Sequence, residues 1–430
     1  MTQKPVSRLS LPAKSIPTEI TPRIEKRALL SLTPGGRHLD LLEDAKSAEK
    51  EMIATRRRIH QRPELAYHEV KTAQLIADKL RALGIEVTTQ VGGTGVLGVL
   101  KGKKKGKVVG LRADMDALPI EEMSDVEFRS RTKGAMHACG HDTHVAMLLG
   151  AASILARHRD ELRGTVKFFF QPAEEQGGRG GAEPMIEDGV MSNPRVDYVF
   201  GLHITNGLPS GSFGVKPGAV MAAPDMFWVK VIGKGGHGSA PEEGVDPIYV
   251  SAHVILALQG VAARMIAPVK PFVITIGSLH AGTKGNVIPD EASMEGTIRT
   301  FDGATRKKAK SLVRKVADST CRAFGARCEV SFMEDAYPIT YNDPKVTERV
   351  SGLLRRVRGA KVKAMEPILG GEDFSRFLER APGTFYFLGT RNVAKGCVYP
   401  NHSSMFRVDE DVLKFGAASL AMLAMDFAGV

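Results

Sequence analysis

A chain of 430 residues with 43% apolar and 25% charged side chains has an ordinary globular composition; this excludes large-scale disorder and, at such a length, favours two domains over one core. No run of about eighteen apolar residues occurs, and the opening MTQKPVSRLSLPAKS carries charge without an apolar block, so neither a membrane span nor a secretory signal is expected. The net charge of +11 has its densest source in K-G-K-K-K-G-K at 101–107, where no stacking aromatics interleave with the lysines; a pull on anionic substrates is expected, and no nucleic-acid partner.

Residues 1–40 hold Pro5, Pro12, Pro17, Pro22 and Pro34 among basic side chains without a sustained period, and read as a mobile extension. Helical spacing runs from Leu41 to Gln61 and again through KTAQLIADKLRAL, stopping at Gly84. EVTTQV, GVLGVL and KVVGLRA read as short strands, with the basic run a solvated hairpin tip between the last two. After the helix-like THVAMLLGAASILARH, the apolar continuity of TVKFFFQP and YVFGLHI marks buried strands. Strands alternating with helices predict an α/β domain with a largely parallel sheet covered on both faces. Between Ala222 and Tyr337 the rhythm becomes βαββαβ, the order of a ferredoxin-like domain, and this stretch reads as an insertion. Two helix-like stretches, KVTERVSGLLRRV and EDFSRFLER, the strand TFYFLGT and the helix VLKFGAASLAMLAMDF complete the chain.

The four cysteines, Cys139, Cys321, Cys328 and Cys397, are too scattered for a disulfide framework, so a reducing cytoplasm is the expected setting and Cys139 is available as a thiolate ligand. It lies in M-H-A-C-G-H-D-T-H at 136–144, where a tight glycine turn can aim Cys139 and His141 at one point. Q-P-A-E-E at 171–175 follows a strand directly, placing two glutamates where open α/β sheets put ligand sites; one can bind metal while the other serves as a base. D-Y-V-F-G-L-H ends a strand in His203, and Y-P-N-H-S-S holds His402 in a polar loop. Each motif alone is compatible with a structural role. Together they offer more N, S and O donors than one tetrahedral zinc requires, which points to two ions sharing a bridging group.

RADMDALPIEE, HACGHDTH, QPAEE, GLH, GKGGHGSAP, GTKGNVIPD, GTIRTFD, GGEDFS and PNHSS, in this order, resemble the aminoacylase and carboxypeptidase family of co-catalytic metallopeptidases. The likeness covers about residues 45–428 and is greatest to the branch of hippurate hydrolases, auxin-conjugate hydrolases and archaeal thermostable carboxypeptidases. It implies that Cys139, His141, Glu175, His203 and His402 hold two divalent ions, zinc first with manganese or cobalt as alternatives, and that Cys139 bridges them. It implies that Glu174 is the general base, that His237 of G-K-G-G-H-G reaches a partner subunit's site to steady an oxyanion, and that Asn286 and Arg299 hold a substrate carboxylate. The wider family uses H-x-D where this chain has D-M-D, so Asp116 reads as orienting a ligand histidine and Asp114 as a supporting or plainly structural group. His144 reads likewise, and Gly370 and Gly371, ahead of Glu372 and Asp373, shape a loop near the site that lines the acyl pocket, with no chemistry assigned to Glu372.

The expected protein is thus a hydrolase that splits the amide bond between an acyl or peptidyl group and an amino acid with a free carboxylate. A discontinuous metal-binding catalytic domain over 41–221 and 338–430 is interrupted by a lid and dimerisation domain over 222–337, in a cytoplasmic homodimer or dimer-based homo-oligomer. Two rivals stand beside this: a non-catalytic protein that binds peptides or acyl amino acids, and a thiol hydrolase with Cys139 as nucleophile and His141 or His144 as base.

Overall fold

The computed structural model describes residues 40–430, so the extension expected over residues 1–40 falls, apart from Asp40, outside the described residues. Strands β1 (Glu86–Val91), β2 (Gly95–Lys101), β3 (Lys104–Asp114), β4 (Arg163–Gln171), β5 (Tyr198–Pro209) and β6 (Ser212–Val215) enter a first sheet. Strands β7 (Ala223–Ile232), β8 (Phe272–Ala281), β9 (Glu291–Thr300) and β10 (Arg327–Phe332) form a second, after which β11 (Lys361–Ala364) and β12 (Gly383–Arg391) rejoin the first.

The eight-stranded sheet has the order β1-β2-β4-β3-β5-β12-β6-β11. Its centre is parallel at β4–β3, β3–β5 and β5–β12, and antiparallel pairs occur towards both edges. The mixed α/β class with a mostly parallel sheet is therefore as expected. The hairpin is not: β2 pairs with β4, which lies between it and β3, so the lysine run is an exposed crossover whose end belongs to β3. The insertion of β4 between β2 and β3 is what rules out the hairpin, since a tight turn joins only strands that are neighbours as well as antiparallel. β5 also runs on past His203 to Pro209, so that histidine lies within a strand, opposite Phe387, and not at its end.

The apolar run of β4 is buried on both sides, as parallel strands covered on both faces require. Phe169 packs with Met185, Phe374, Phe377 and Phe385 on one side, while Phe168 closes on Gly98, where a Cβ would meet its ring at 3.3 Å. The second sheet has the order β8-β9-β7-β10 and is antiparallel throughout, the ferredoxin-like pattern. Alternate residues Phe227, Val229 and Val231 of β7 face the helices Pro247–Gly260 and Gly303–Ala323, which answer with Val250, Val254 and Leu258 and with Ala309, Val313, Ala317 and Cys321 at four-residue spacing. The first of these helices continues to Met265 and is long and apolar enough to cross a membrane. Its core-facing side is accounted for here, while Ile248, Tyr249 and Leu256 are exposed on the other.

Lys167, in the middle of TVKFFFQP, is 1% exposed, and its ammonium donates to two neutral carbonyls, Val190 O at 2.8 Å and Ser192 O. Burial pushes its pKa down to about 8. The unfolded chain then binds more protons than the folded one between about pH 8 and 10.5, so stability attributable to this group rises with pH through that window and its penalty is complete below it. Denaturant titrations of Lys167→Met beside the parent should show a difference in unfolding free energy that changes with pH across this window, by on the order of 3 kcal/mol; a pH-independent difference contradicts the assignment.

Candidate metal centre

The carboxyl ends of the parallel strands and the loops after them assemble one site from distant segments. Gly140 precedes the helix His141–Arg157 with φ +94°, and a Cβ there would lie 2.4 Å from Ile204 Cδ1, so the C-G-H turn admits only glycine. That turn brings Cys139 Sγ to 3.3 Å from His203 Nε2 and 3.3 Å from His402 Nε2. His402 Nε2 is 3.2 Å from Glu175 Oε1, which is 3.9 Å from His141 Nε2. Two of the backbone positions involved are left-handed without being glycine: His402, whose N–H donates to Ala138 O at 2.8 Å, and Ala173, whose N–H donates to the buried Glu69 at 2.9 Å.

The ring nitrogens are sorted by what surrounds them. His203 Nδ1 lies 2.6 Å from Ile204 O, a carbonyl, so it carries the proton and leaves Nε2 with its lone pair towards Cys139. Asp116 spans the site, with Oδ1 3.1 Å from His141 Nδ1 and Oδ2 accepting the Glu175 N–H at 2.9 Å. His141 Nε2 is buried without a hydrogen-bond partner and Glu175 Oε1 faces the imidazoles of His402 and His141, an arrangement suited to a cation. Sets of three ligand atoms lie within reach of a single ion for Cys139, His141 and His203, for Cys139, Glu175 and His402, and for His141, Glu174 and Glu175. These residues therefore fit a pair of divalent ions, with Cys139, His141 and Glu175 each common to two of these sets.

Electrostatics favour a cation in the same place. Burial opposes charge on His141, yet the carboxylates of Asp114 and Asp116 outweigh it and raise the imidazole to about 10. Burial, then Glu372 and Glu175, hold the Glu174 carboxyl well above its usual range. Burial, then Glu175 and Glu174, do the same to the Cys139 thiol. A surplus of buried carboxylate is what a doubly charged ion relieves.

A model of peptidase family M20/M25/M40 matches residues 110–426. Thermostable carboxypeptidase 2 of Saccharolobus solfataricus is 56% identical over 394 residues, covering 90% of this chain and 99% of that protein. The chain belongs to peptidase family M20/M25/M40. IAA-amino acid hydrolase ILR1-like 4 of Arabidopsis thaliana is 39% identical over 379 residues, 87% of this chain and 84% of that one. The crystal structure of the Bacillus subtilis protein YXEP, described as a dinuclear metal-binding peptidase of the M20 family, superposes with a TM-score of 0.78 at 36% identity, over 89% of this chain and 99% of that one. This M20 protein is accordingly a metal-dependent hydrolase of amide bonds, with a binuclear site for divalent ions.

The structure gathers Cys139, His141, Glu174, Glu175, His203 and His402, with Asp116 behind them. It does not bring the other expected site residues there within one chain. His237 is exposed on the short ribbon Gly236–His237, opposite Val287; the exposed Asn286 is beside it, and its carbonyl accepts from Gly238 N at 2.8 Å. Arg299 sits in β9 opposite Pro224, partly buried. No hydrogen bond or ion pair joins any of the three to the cluster among the described residues.

Glu372 and Asp373, which carry no assigned chemistry in the sequence, have a structural task inside the fold. Both are fully buried on Arg112, whose NH2 group donates to each at 2.9 Å, and Asp373 also accepts from Gln171 and from the N–H groups of Gly181 and Ala182. Arg112 pairs with Asp114 as well. A fully charged arginine in the apolar strand KVVGLRAD was the available signal for this network, since a buried guanidinium demands carboxylates around it. In this M20 site Asp116→Ala should free both His141 and the Glu175 loop and weaken divalent-metal affinity roughly 10- to 100-fold, as read by competition with a chromophoric chelator; unchanged affinity speaks against the orienting role.

Proposed function

We propose that the protein is a carboxypeptidase or N-acyl-amino-acid amidohydrolase in which Cys139, His141, Glu175, His203 and His402 hold the two ions, zinc first, and Glu174 is the general base. The observation that carries this reading is the buried meeting of His141 Nε2, which has no hydrogen-bond partner, with Glu175 Oε1, while Glu174, 7% exposed, precedes Glu175 on the same turn. Cations held there polarise a carbonyl and lower the pKa of a coordinated water, to about 7 for zinc. Glu174 accepts a proton from the attacking water and delivers it to the leaving amine. Asn286 and Arg299 bind the free carboxylate of the amino-acid side of the substrate, Arg299 through paired N–H donors. The names of the relatives, a carboxypeptidase and an amino-acid conjugate hydrolase, support this substrate class.

The same reading makes residues 41–221 and 338–430 the catalytic domain, residues 222–337 a lid and dimerisation domain, and the cytoplasm the working compartment, where the four free thiols are stable. β8 is an edge strand, paired only with β9, and Leu279 of that strand is exposed. With Ile248, Tyr249 and Leu256 it offers an apolar face and an open strand edge suited to a second copy. His237 then serves the partner's site. Its Nδ1 accepts from Ser239 N at 3.1 Å, which leaves an Nε2–H free to donate to an oxyanion.

The thiol rival fits the geometry poorly. His144 Nδ1 is 2.5 Å from Asp114 and its Nε2 accepts from Ile204 N at 2.9 Å, so neither nitrogen is free to act on Cys139. His141 holds Asp116 through Nδ1 at 3.1 Å, and no hydrogen bond joins its Nε2 to Cys139 among the described residues.

Glu174→Gln should lose roughly 100- to 10,000-fold in kcat at unchanged metal content; turnover near the parental value sinks the assignment. Kinetics over acetyl, benzoyl and benzyloxycarbonyl amino acids and dipeptides, with elemental analysis, will define substrate and metal. Chelation should abolish activity and a divalent salt restore it, whereas a thiol enzyme survives chelation. Mixed dimers of His237→Ala and Glu174→Ala chains should regain part of the activity, because one of the two sites is then intact; verified mixed dimers that stay silent exclude action in trans.

A further inference from the structure

Tyr337 lies on the segment that carries the chain from β10 back to the eight-stranded sheet, and its phenol, 5% exposed, donates to the main-chain carbonyl of Glu174 at 2.6 Å. It thereby joins two other side chains that grip the same turn: Glu69, which accepts the Ala173 N–H, and Asp116, which accepts the Glu175 N–H. Ala173 is held at φ +53°, a conformation an alanine keeps only when its surroundings impose it. Gly180 packs against the phenol so closely that a Cβ would stand 2.8 Å from its oxygen. The clamp on Glu174 is thus complete only when the return segment is in place.

That segment is in turn bolted to the four-stranded sheet. Arg306, on the helix Gly303–Ala323, donates to both oxygens of the buried Asp225 of β7 at 2.8 and 2.9 Å and to Ala336 O at 3.1 Å. The outgoing and returning crossings of the insertion are therefore tied by one guanidinium, one residue from Tyr337. We propose that Tyr337 is a positioning residue that couples the setting of the four-stranded unit to the position of Glu174. The inference rests on Glu174 being the base.

Tyr337→Phe keeps the ring and removes the donor. It should lower kcat roughly 10- to 100-fold while KM stays within about twofold and metal content and Tm stay near parental, a split that a purely structural role does not produce. Arg306→Gln should also lower kcat, and the double variant should lose little beyond Tyr337→Phe alone, because both act along one path. Parental kcat in folded Tyr337→Phe, or full additivity of the two changes, overturns the proposal. If Tyr337→Phe does not fold, Arg306→Gln decides: a lower kcat at constant KM supports the coupling, and an unchanged kcat overturns it. Glu174→Gln assayed in parallel separates the two readings, since turnover there removes the base itself, whereas an inactive Glu174→Gln beside a fully active Tyr337→Phe removes only the coupling.

Discussion

The architecture depends on holding many carboxylates together at the carboxyl edge of the parallel strands. Asp114 ends β3 and Asp116 follows it, Glu174 and Glu175 follow β4, and Glu372 and Asp373 precede β12. Such a concentration of buried negative charge is unstable without compensation, and Arg112 supplies the fixed part of it by pairing with Asp114, Glu372 and Asp373. Burial works against its charge, but the carboxylates outweigh that and keep it protonated. The remaining excess lies on the opposite side, around Glu175 and His141, where a cation would offset it. Structural charge and metal-binding charge are thus two halves of one balance, divided at Asp114, which contacts Arg112 on one side and His144 and His141 on the other.

Around that balance the backbone is bent to deliver ligands. Gly140, Ala173 and His402 all adopt left-handed conformations, and each lies at or next to a residue of the cluster. Such conformations persist where neighbouring interactions over-determine them. Here the restraints come from polar groups that do not enter the cluster: Glu69 on Ala173, Ala138 O on the His402 N–H, and Asn401, which donates to Cys139 O at 2.9 Å. The supports of the site are spread over helices, strands and loops of different origin in the chain.

What could be read from residues alone was whatever is encoded over short distances. Apolar continuity marked β4 and β5 as buried, alternation and four-residue spacing marked the βαββαβ insertion, and glycine between Cys139 and His141 announced a turn that only glycine can make. The ordered motifs likewise singled out Cys139, His141, Glu174, Glu175, His203 and His402, because ligand chemistry constrains residue type as well as place. Strand partnership was not local, so β2 and β3 read as a hairpin although β4 separates them. The burial of Glu372 and Asp373 was hidden for the same reason: a carboxylate pair after two glycines looks alike at a pocket wall and on a guanidinium, and only the approach of β3 to that loop chooses between them. Tyr337 carried no sequence signal at all. Its role comes from a single hydroxyl meeting a main-chain carbonyl 163 positions earlier in the chain, a contact made by the path of the return segment. Residue types thus determined the chemistry that could occur, while the pairing of strands and the packing of crossings decided which of those groups meet, because those depend on distances between segments that no local pattern records.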